Sequence, residues 1–143
     1  MDQPTPARRW PSEGLTRVPY SVSCDREVYA RELERIFGGP FWNYVALEAE
    51  VPAAGDFVRS HVGEHSVVVV RDKDGAVNVL LNRCAHRGVE FCRASFGNSR
   101  SFMCPYHQWT YDPKGNLIGV PFRRGVNGQG GMPRISIRRC AEW

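Results

Sequence analysis

Cysteine is too scarce here, and too oddly numbered, to make a disulfide framework. Five occur in 143 residues: Cys24, Cys84, Cys92, Cys104 and Cys140. An odd, widely spaced set fits a reducing compartment. Long apolar runs are missing too. The valines Val67–Val70 are bounded at once by Ser66 and Arg71, and nothing approaches the ~20 residues of a membrane span. Residues Met1–Pro11 hold three prolines and no apolar stretch, so they do not read as a secretory signal. The expectation is a cytoplasmic chain with no membrane segment. There is no patterned basic helix and no RNA- or DNA-binding signature, so nucleic acid is not expected as a partner. No internal repeat occurs, and no low-complexity tract precedes the glycine-rich Gly125–Gly131. The net charge of +4 is small and carried largely by arginine at both ends. It is compatible with steering an acidic redox partner and equally with no role. Hydrophobic content of 42% and charged content of 24% are ordinary for one globular core.

Against these absences stand two short clusters, Cys84-Ala85-His86 and Cys104-Pro105-Tyr106-His107, separated by seventeen residues. Each offers one thiolate and one imidazole within reach of a single point. Gly88 and Pro105 are turn residues of the kind tight loops need. Together the clusters supply two sulfur and two nitrogen ligands. That set suits a [2Fe-2S] centre of the Rieske type, in which one iron takes both cysteines and the other both histidines. Backbone N–H groups in such loops can point at the sulfides and offset their charge, and neutral imidazoles raise the potential further. Structural zinc also takes Cys₂His₂ ligands, but its usual spacing pairs two cysteines on one knuckle and two histidines on another. Buried cysteines with surface histidines and no metal is the third reading.

The rest of the chain reads as mainly β. Val28, Tyr29, Leu33, Ile36 and Phe37 recur at helical spacing from Asp25 or Ser23, and Gly38-Gly39-Pro40 stops the helix. Strand-like runs follow at Phe41–Leu47, Phe57–Val62, Ser66–Arg71 and Ala76–Leu81, with Asp72-Lys73-Asp74-Gly75 as a hairpin turn. A short run near Phe91, strands around Ser101–Cys104, Gln108–Tyr111 and Leu117–Val120, and a turn at Pro113-Lys114-Gly115 complete the pattern. The expected architecture is a set of small antiparallel sheets with two ligand-bearing hairpin loops, preceded by one helix. The boundaries expected are residues 1–40 for the lead-in and helix, 41–133 for the iron–sulfur domain and 134–143 for an atypical tail. Trp109 and Tyr111 are expected to pack beneath the loops.

The motifs Cys84-Ala85-His86-Arg87-Gly88 and Cys104-Pro105-Tyr106-His107-Gln108-Trp109-Thr110-Tyr111 resemble the Rieske domain of bacterial aromatic-ring-hydroxylating oxygenase large (alpha) subunits. The likeness extends over roughly residues 10–133. It includes Arg17-Val18-Pro19-Tyr20, Leu47-Glu48-Ala49-Glu50-Val51-Pro52, Gly55-Asp56-Phe57, Val68-Val69-Val70-Arg71-Asp72 and Gly119-Val120-Pro121-Phe122-Arg123-Arg124-Gly125-Val126. These stretches are similar to salicylate 5-hydroxylase, anthranilate dioxygenase and terephthalate dioxygenase large subunits. The respiratory and photosynthetic Rieske class carries an extra cysteine in each loop, forming a disulfide. The Cys104 loop has none, so Cys92 lacks a partner.

The resemblance implies Cys84 and Cys104 on the buried iron and His86 and His107 on the outer one. It implies a ferredoxin or reductase as donor, and a mononuclear ferrous iron in a catalytic domain that this chain lacks. It also implies a homotrimer with a small beta subunit, and for His107 a hydrogen bond across the subunit interface. A chain lacking that domain is expected to carry electrons without turnover. His61, His65 and Glu64 make a facial triad conceivable on paper, against the plainer reading of two histidines on an exposed connection. After Met132-Pro133 the likeness ends, as a truncated, frameshifted or cut subunit would show. A free-standing Rieske ferredoxin and a zinc-stabilised interaction module are the alternatives.

Overall fold

The computed structural model describes residues 14–131; the expected lead-in up to residue 13 and the tail from Met132 onward, Cys140 included, lie outside them. The chain divides into two compact units, with Trp42 ending the first and Asn43 opening the second.

In the first unit, two 3-10 turns at Gly14–Thr16 and Tyr20–Ser23 lead into α1, Arg26–Glu32. Asp25 caps it: its carboxylate accepts from the N–H of Glu27 at 2.8 Å and of Val28 at 3.2 Å. The helix widens into a π turn over Leu33–Phe37, closed by the Gly38 N–H on the Leu33 carbonyl at 2.8 Å. The helix expected from sequence is therefore present, with Asp25 and not Ser23 as its start.

The second unit is built on β1 (Asp56–Val62), β2 (His65–Arg71), β3 (Val77–Leu81) and β4 (Phe96–Asn98). They form one antiparallel sheet in the order β3-β2-β1-β4. The valine run explains the centre of the sheet. Val67, Val68, Val69 and Val70 are all at most 3% exposed, so β2 is covered on both faces. A second sheet, β5-β6-β7, comprises Phe102–Met103, Thr110–Tyr111 and Leu117–Gly119, and β8 (Gly125–Val126) pairs with β9 (Gln129–Gly130). The core joins Phe57, Val68, Val70 and Leu80 of the first sheet to Phe102 and Tyr111 of the second, with Cys84, Phe91, Cys92, Cys104 and Trp109 between.

Three expectations need correcting. Phe41–Leu47 forms no strand. It has no partner strand, and Phe41, Tyr44 and Leu47 are more than half exposed. The run near Phe91 is buried without a ladder: Phe91 stacks on Tyr111, ring centroids 5.2 Å apart. The third concerns β4, which was not anticipated. Its middle residue, Gly97, lies so close to the Phe57 ring that a Cβ there would stand 3.0 Å from it.

Two of the hairpin turns, β2–β3 and β6–β7, are set by an aspartate. Asp72 accepts from the N–H groups of Asp74 and Ala76, and Asp112 from those of Lys114 and Asn116. Each turn ends on a glycine in the left-handed region, Gly75 at φ 86° and Gly115 at φ 78°. Asp72 is buried, which alone would raise its pKa. Hydrogen bonds from Asn78 and from the N–H groups of Ala76 and Asp74, with the Lys114 charge, outweigh burial and hold it below the usual carboxylate value.

Candidate metal centre

Cys84 and Cys104 sit at corresponding points of two loops with the same backbone frame. The Cys84 N–H donates to the Val89 carbonyl and the Gly88 N–H to the Cys84 carbonyl, both at 2.8 Å. The Cys104 N–H donates to Trp109 at 2.8 Å and the Gln108 N–H to Cys104 at 2.9 Å. Four residues after each cysteine the chain turns left-handed, at Gly88 (φ 72°) and Gln108 (φ 57°). The frame points both thiols inward: Cys84 is 3% and Cys104 1% exposed.

The loops are mounted differently. The Cys104 loop caps the β5–β6 hairpin. The Cys84 loop leaves β3 at one edge of the first sheet, and the chain returns as β4 at the other edge. That longer excursion is pinned by Asn82. Its Oδ1 accepts from the Cys92 N–H at 2.9 Å, and its Nδ2 donates to the Cys92 carbonyl at 2.8 Å and to Ser66 Oγ at 3.1 Å.

Within this frame the imidazoles meet. His86 and His107 have ring centroids 4.6 Å apart in an edge-on arrangement. His86 stacks flat on Trp109, 4.7 Å between centroids and 10° between planes. His107 lies 3.8 Å from the Tyr106 ring. Burial holds the His107 pKa below its ordinary value, helped by the neighbouring His86 and Arg87. A neutral imidazole, the ligand form, is thus favoured. Tyr111, fully buried, reaches both loop and sulfur. Its hydroxyl accepts from the Ala85 N–H at 3.0 Å and lies 3.2 Å from Cys84 Sγ. The sequence expectation put Trp109 and Tyr111 beneath the loops as core packing. Their polar and stacking contacts, and the Asn82 pin, were not foreseen.

The Nδ1 atom of His86 is buried and has no hydrogen-bond partner. An unsatisfied buried polar atom costs about 1–3 kcal/mol, and a bond to a metal removes that cost. The two buried thiols and the two imidazoles in contact supply the sulfur pair and the nitrogen pair that two irons, each taking two protein ligands, require. The chain's residues therefore fit the two-iron group.

His61 and His65 flank the tight β1–β2 turn, where Val62 pairs with His65. Among the described residues, they belong to no group of three His, Cys, Asp or Glu side chains that could hold a metal ion. Cys92 is free, and burial pushes its thiol pKa up.

Three comparisons bear on this geometry. The family model for the Rieske [2Fe-2S] domain matches residues 41–129. The large oxygenase component of salicylate 5-hydroxylase from Ralstonia sp is 55% identical over 130 residues, covering 88% of this chain and 31% of that protein. The anthranilate 1,2-dioxygenase large subunit of Burkholderia cepacia is 58% identical over 124 residues, covering 87% and 29%. Naphthalene 1,2-dioxygenase from Rhodococcus sp., solved bound to indole, superposes with a TM-score of 0.71 at 43% identity, over 79% of this chain and 26% of that one. The chain thus spans about a third of the length of the curated relatives it matches.

Proposed function

The chain belongs to the Rieske [2Fe-2S] domain family, and from that premise we propose that it is the electron-transfer part of an aromatic-ring-hydroxylating oxygenase large subunit. Cys84 and Cys104 hold one iron and His86 and His107 the other. The observation that carries this reading is the meeting of two matched loops, with both thiols buried, the two imidazole rings in contact and His86 Nδ1 unsatisfied.

Bound there, the cluster supplies reversible storage of one electron at a potential between about −150 and +300 mV. The chain's residues set the conditions. The Tyr111 hydroxyl accepts from the Ala85 N–H and lies 3.2 Å from the Cys84 sulfur, to which it would donate once that sulfur is a thiolate. That bond disperses negative charge on the sulfur and raises the potential. His86 stacks on buried Trp109, and His107 lies against exposed Tyr106. With no disulfide among the described cysteines, we place the midpoint in the lower part of the range.

The relatives are large oxygenase components, which supports a subunit domain over a free-standing ferredoxin. By their names, an aromatic acid such as salicylate or anthranilate is the substrate class we assign to the whole protein. Its oxidation belongs to a mononuclear iron outside this chain. A ferredoxin or reductase as donor, a trimer with a small beta subunit and a cytoplasmic location complete the proposal. No helix among the described residues is long and apolar enough to cross a membrane.

The test is a chimera. Joined to the remainder of the salicylate 5-hydroxylase large component and supplied with that system's donor, the chain is expected to support ring hydroxylation, and a Cys104→Ser version is expected to give no product. Reversible one-electron uptake by the chain alone, with no product from a folded, cluster-loaded chimera, would favour the ferredoxin reading.

A further inference from the structure

We infer that Asn82 is a positioning residue for the metal centre: its carboxamide replaces the strand pair that the Cys84 loop lacks, and so sets how close Cys84 stands to Tyr111. The inference rests on the cluster assignment above.

The two ligand loops turn alike but are closed differently at the base. In the second loop, the residues just outside the Cys104–Trp109 bond are Met103 and Thr110, and they pair in a ladder with Phe102 and Tyr111 behind them. The same count outward from the Cys84–Val89 bond gives Arg83 with Glu90 and then Asn82 with Phe91, and neither pair forms a ladder. The chain bends there instead, with the Arg83 N–H turned back on the Leu81 carbonyl at 2.7 Å.

One side chain closes this loop. The Asn82 carboxamide meets both backbone groups of Cys92, accepting from its N–H at 2.9 Å and donating to its carbonyl at 2.8 Å. Those are the two bonds that a facing strand residue would make. The other amide hydrogen goes to Ser66 Oγ at 3.1 Å, and the Asn82 N–H goes to the Ser66 carbonyl at 2.8 Å. Ser66 lies on the central strand β2, so the sheet holds the amide and the amide holds the far end of the loop. Asn82 is 2% exposed and Cys92 5%. Without the carboxamide, two buried backbone groups of Cys92 lose their partners, and water reaches them only if the base of the loop opens.

Cys84 follows Asn82 by two residues, so a shift at the base passes to its sulfur. The contacts there are short. The Tyr111 hydroxyl lies 3.0 Å from the Ala85 nitrogen and 3.2 Å from Cys84 Sγ. Hydrogen bonds weaken steeply as their geometry degrades, and the dispersal of charge from the Cys84 sulfur weakens with them. Asn82 thus acts on the centre through the loop.

The test uses the cluster-loaded 143-residue chain and two readouts: the rate at which an iron chelator strips the cluster, and the midpoint potential. Asn82→Leu keeps the bulk and removes all three side-chain bonds. It is expected to release iron about tenfold faster and to move the midpoint to lower potential. Ser66→Ala, which removes the anchor alone, and Asn82→Gln, which displaces the carboxamide by one methylene, should shift both readouts the same way by less. Val69→Ala is the control for a purely structural loss. Val69 is buried on β2 but alternates with Val68 and Val70 and lies outside the core that holds the loops. That variant should lower the melting temperature, leave the potential unchanged and keep iron release within about twofold. Asn82→Leu that melts lower but keeps the wild-type potential, or raises it, would overturn the inference. If Asn82→Leu yields no folded protein, the same judgement falls on Ser66→Ala and Asn82→Gln. A wild-type chain that takes up no iron–sulfur cluster contradicts the cluster assignment instead.

Discussion

The Cys84 and Cys104 loops share one backbone and differ in what surrounds it. In both, the cysteine N–H reaches a carbonyl five residues on, and the cysteine carbonyl receives an N–H four residues on. Yet the histidine comes two residues after the cysteine in the first loop and three after it in the second. One loop is hung from an edge strand and braced by Asn82; the other caps a hairpin. One imidazole lies flat on a buried tryptophan, the other against an exposed tyrosine. The shared frame places the sulfurs, and the unshared surroundings decide what each histidine can do. Both imidazoles are half-buried, and they differ in the ring each meets: a buried tryptophan for His86 and an exposed tyrosine for His107.

The comparison breaks first if the sulfurs are not equivalent. Cys84→Ser and Cys104→Ser are each expected to abolish the cluster, with iron and sulfide contents falling to background in both. A variant that keeps half of either would show that the loops do not contribute equally.

The next largest contrast lies in the stacking partners. Trp109→Ala removes a buried ring and should cost about 3–5 kcal/mol in denaturant unfolding. Tyr106→Ala removes an exposed one and should stay within about 0.5–1 kcal/mol. Similar losses would deny the difference between a buried and an exposed stacking partner.

A finer contrast concerns the left-handed residue. Alanine at Gly88 meets both an unfavourable φ of 72° and the Arg83 side chain 3.1 Å from its Cβ, and should cost about 1–2 kcal/mol. Glycine at Gln108 relieves φ 57° but frees the unfolded chain, so the change should lie within about 0.5 kcal/mol of zero. Thermal unfolding of the loaded proteins reads both.

Much of this centre was legible in sequence. The alternation of Cys and His across two short loops separated the two-iron reading from zinc before any geometry, because ligand type and spacing are local properties. The helix start at Asp25 or Ser23 and the turns at Asp72-Lys73-Asp74-Gly75 and Pro113-Lys114-Gly115 were equally local. What escaped depended on long-range contact. Phe41–Leu47 has a strand's composition but joins no ladder among the described residues, and pairing is not a property of one segment. β4 is three residues long around a glycine whose purpose, to admit the Phe57 ring, lies in another strand. The Asn127-Gly128 pair carries a hairpin signal and turns β8 into β9, but the glycine-rich stretch around it masked the signal. Asn82 and Tyr111 look like ordinary polar and aromatic residues until folding brings them to Cys92 and Cys84.

The smallest effect expected concerns the β2–β3 turn. Asp72 is held below its ordinary pKa in the folded chain, while the unfolded value is about 3.9. Its contribution to stability is therefore present above about pH 4 and is lost as pH falls through the folded value. Melting temperature should drop on acidification below that point, and Asp72→Asn should flatten the drop. An identical acid limb in the variant would place the effect elsewhere.

The central claim, a two-iron centre with one sulfur pair and one nitrogen pair, is tested most directly by pulsed paramagnetic resonance on the dithionite-reduced chain labelled with ¹⁵N-histidine, with iron and sulfide counted on the same sample. The account predicts two irons and two sulfides per chain and hyperfine coupling to two histidine nitrogens, one belonging to His86 and one to His107. A reduced cluster with no histidine coupling, or folded protein that yields zinc alone, would contradict it.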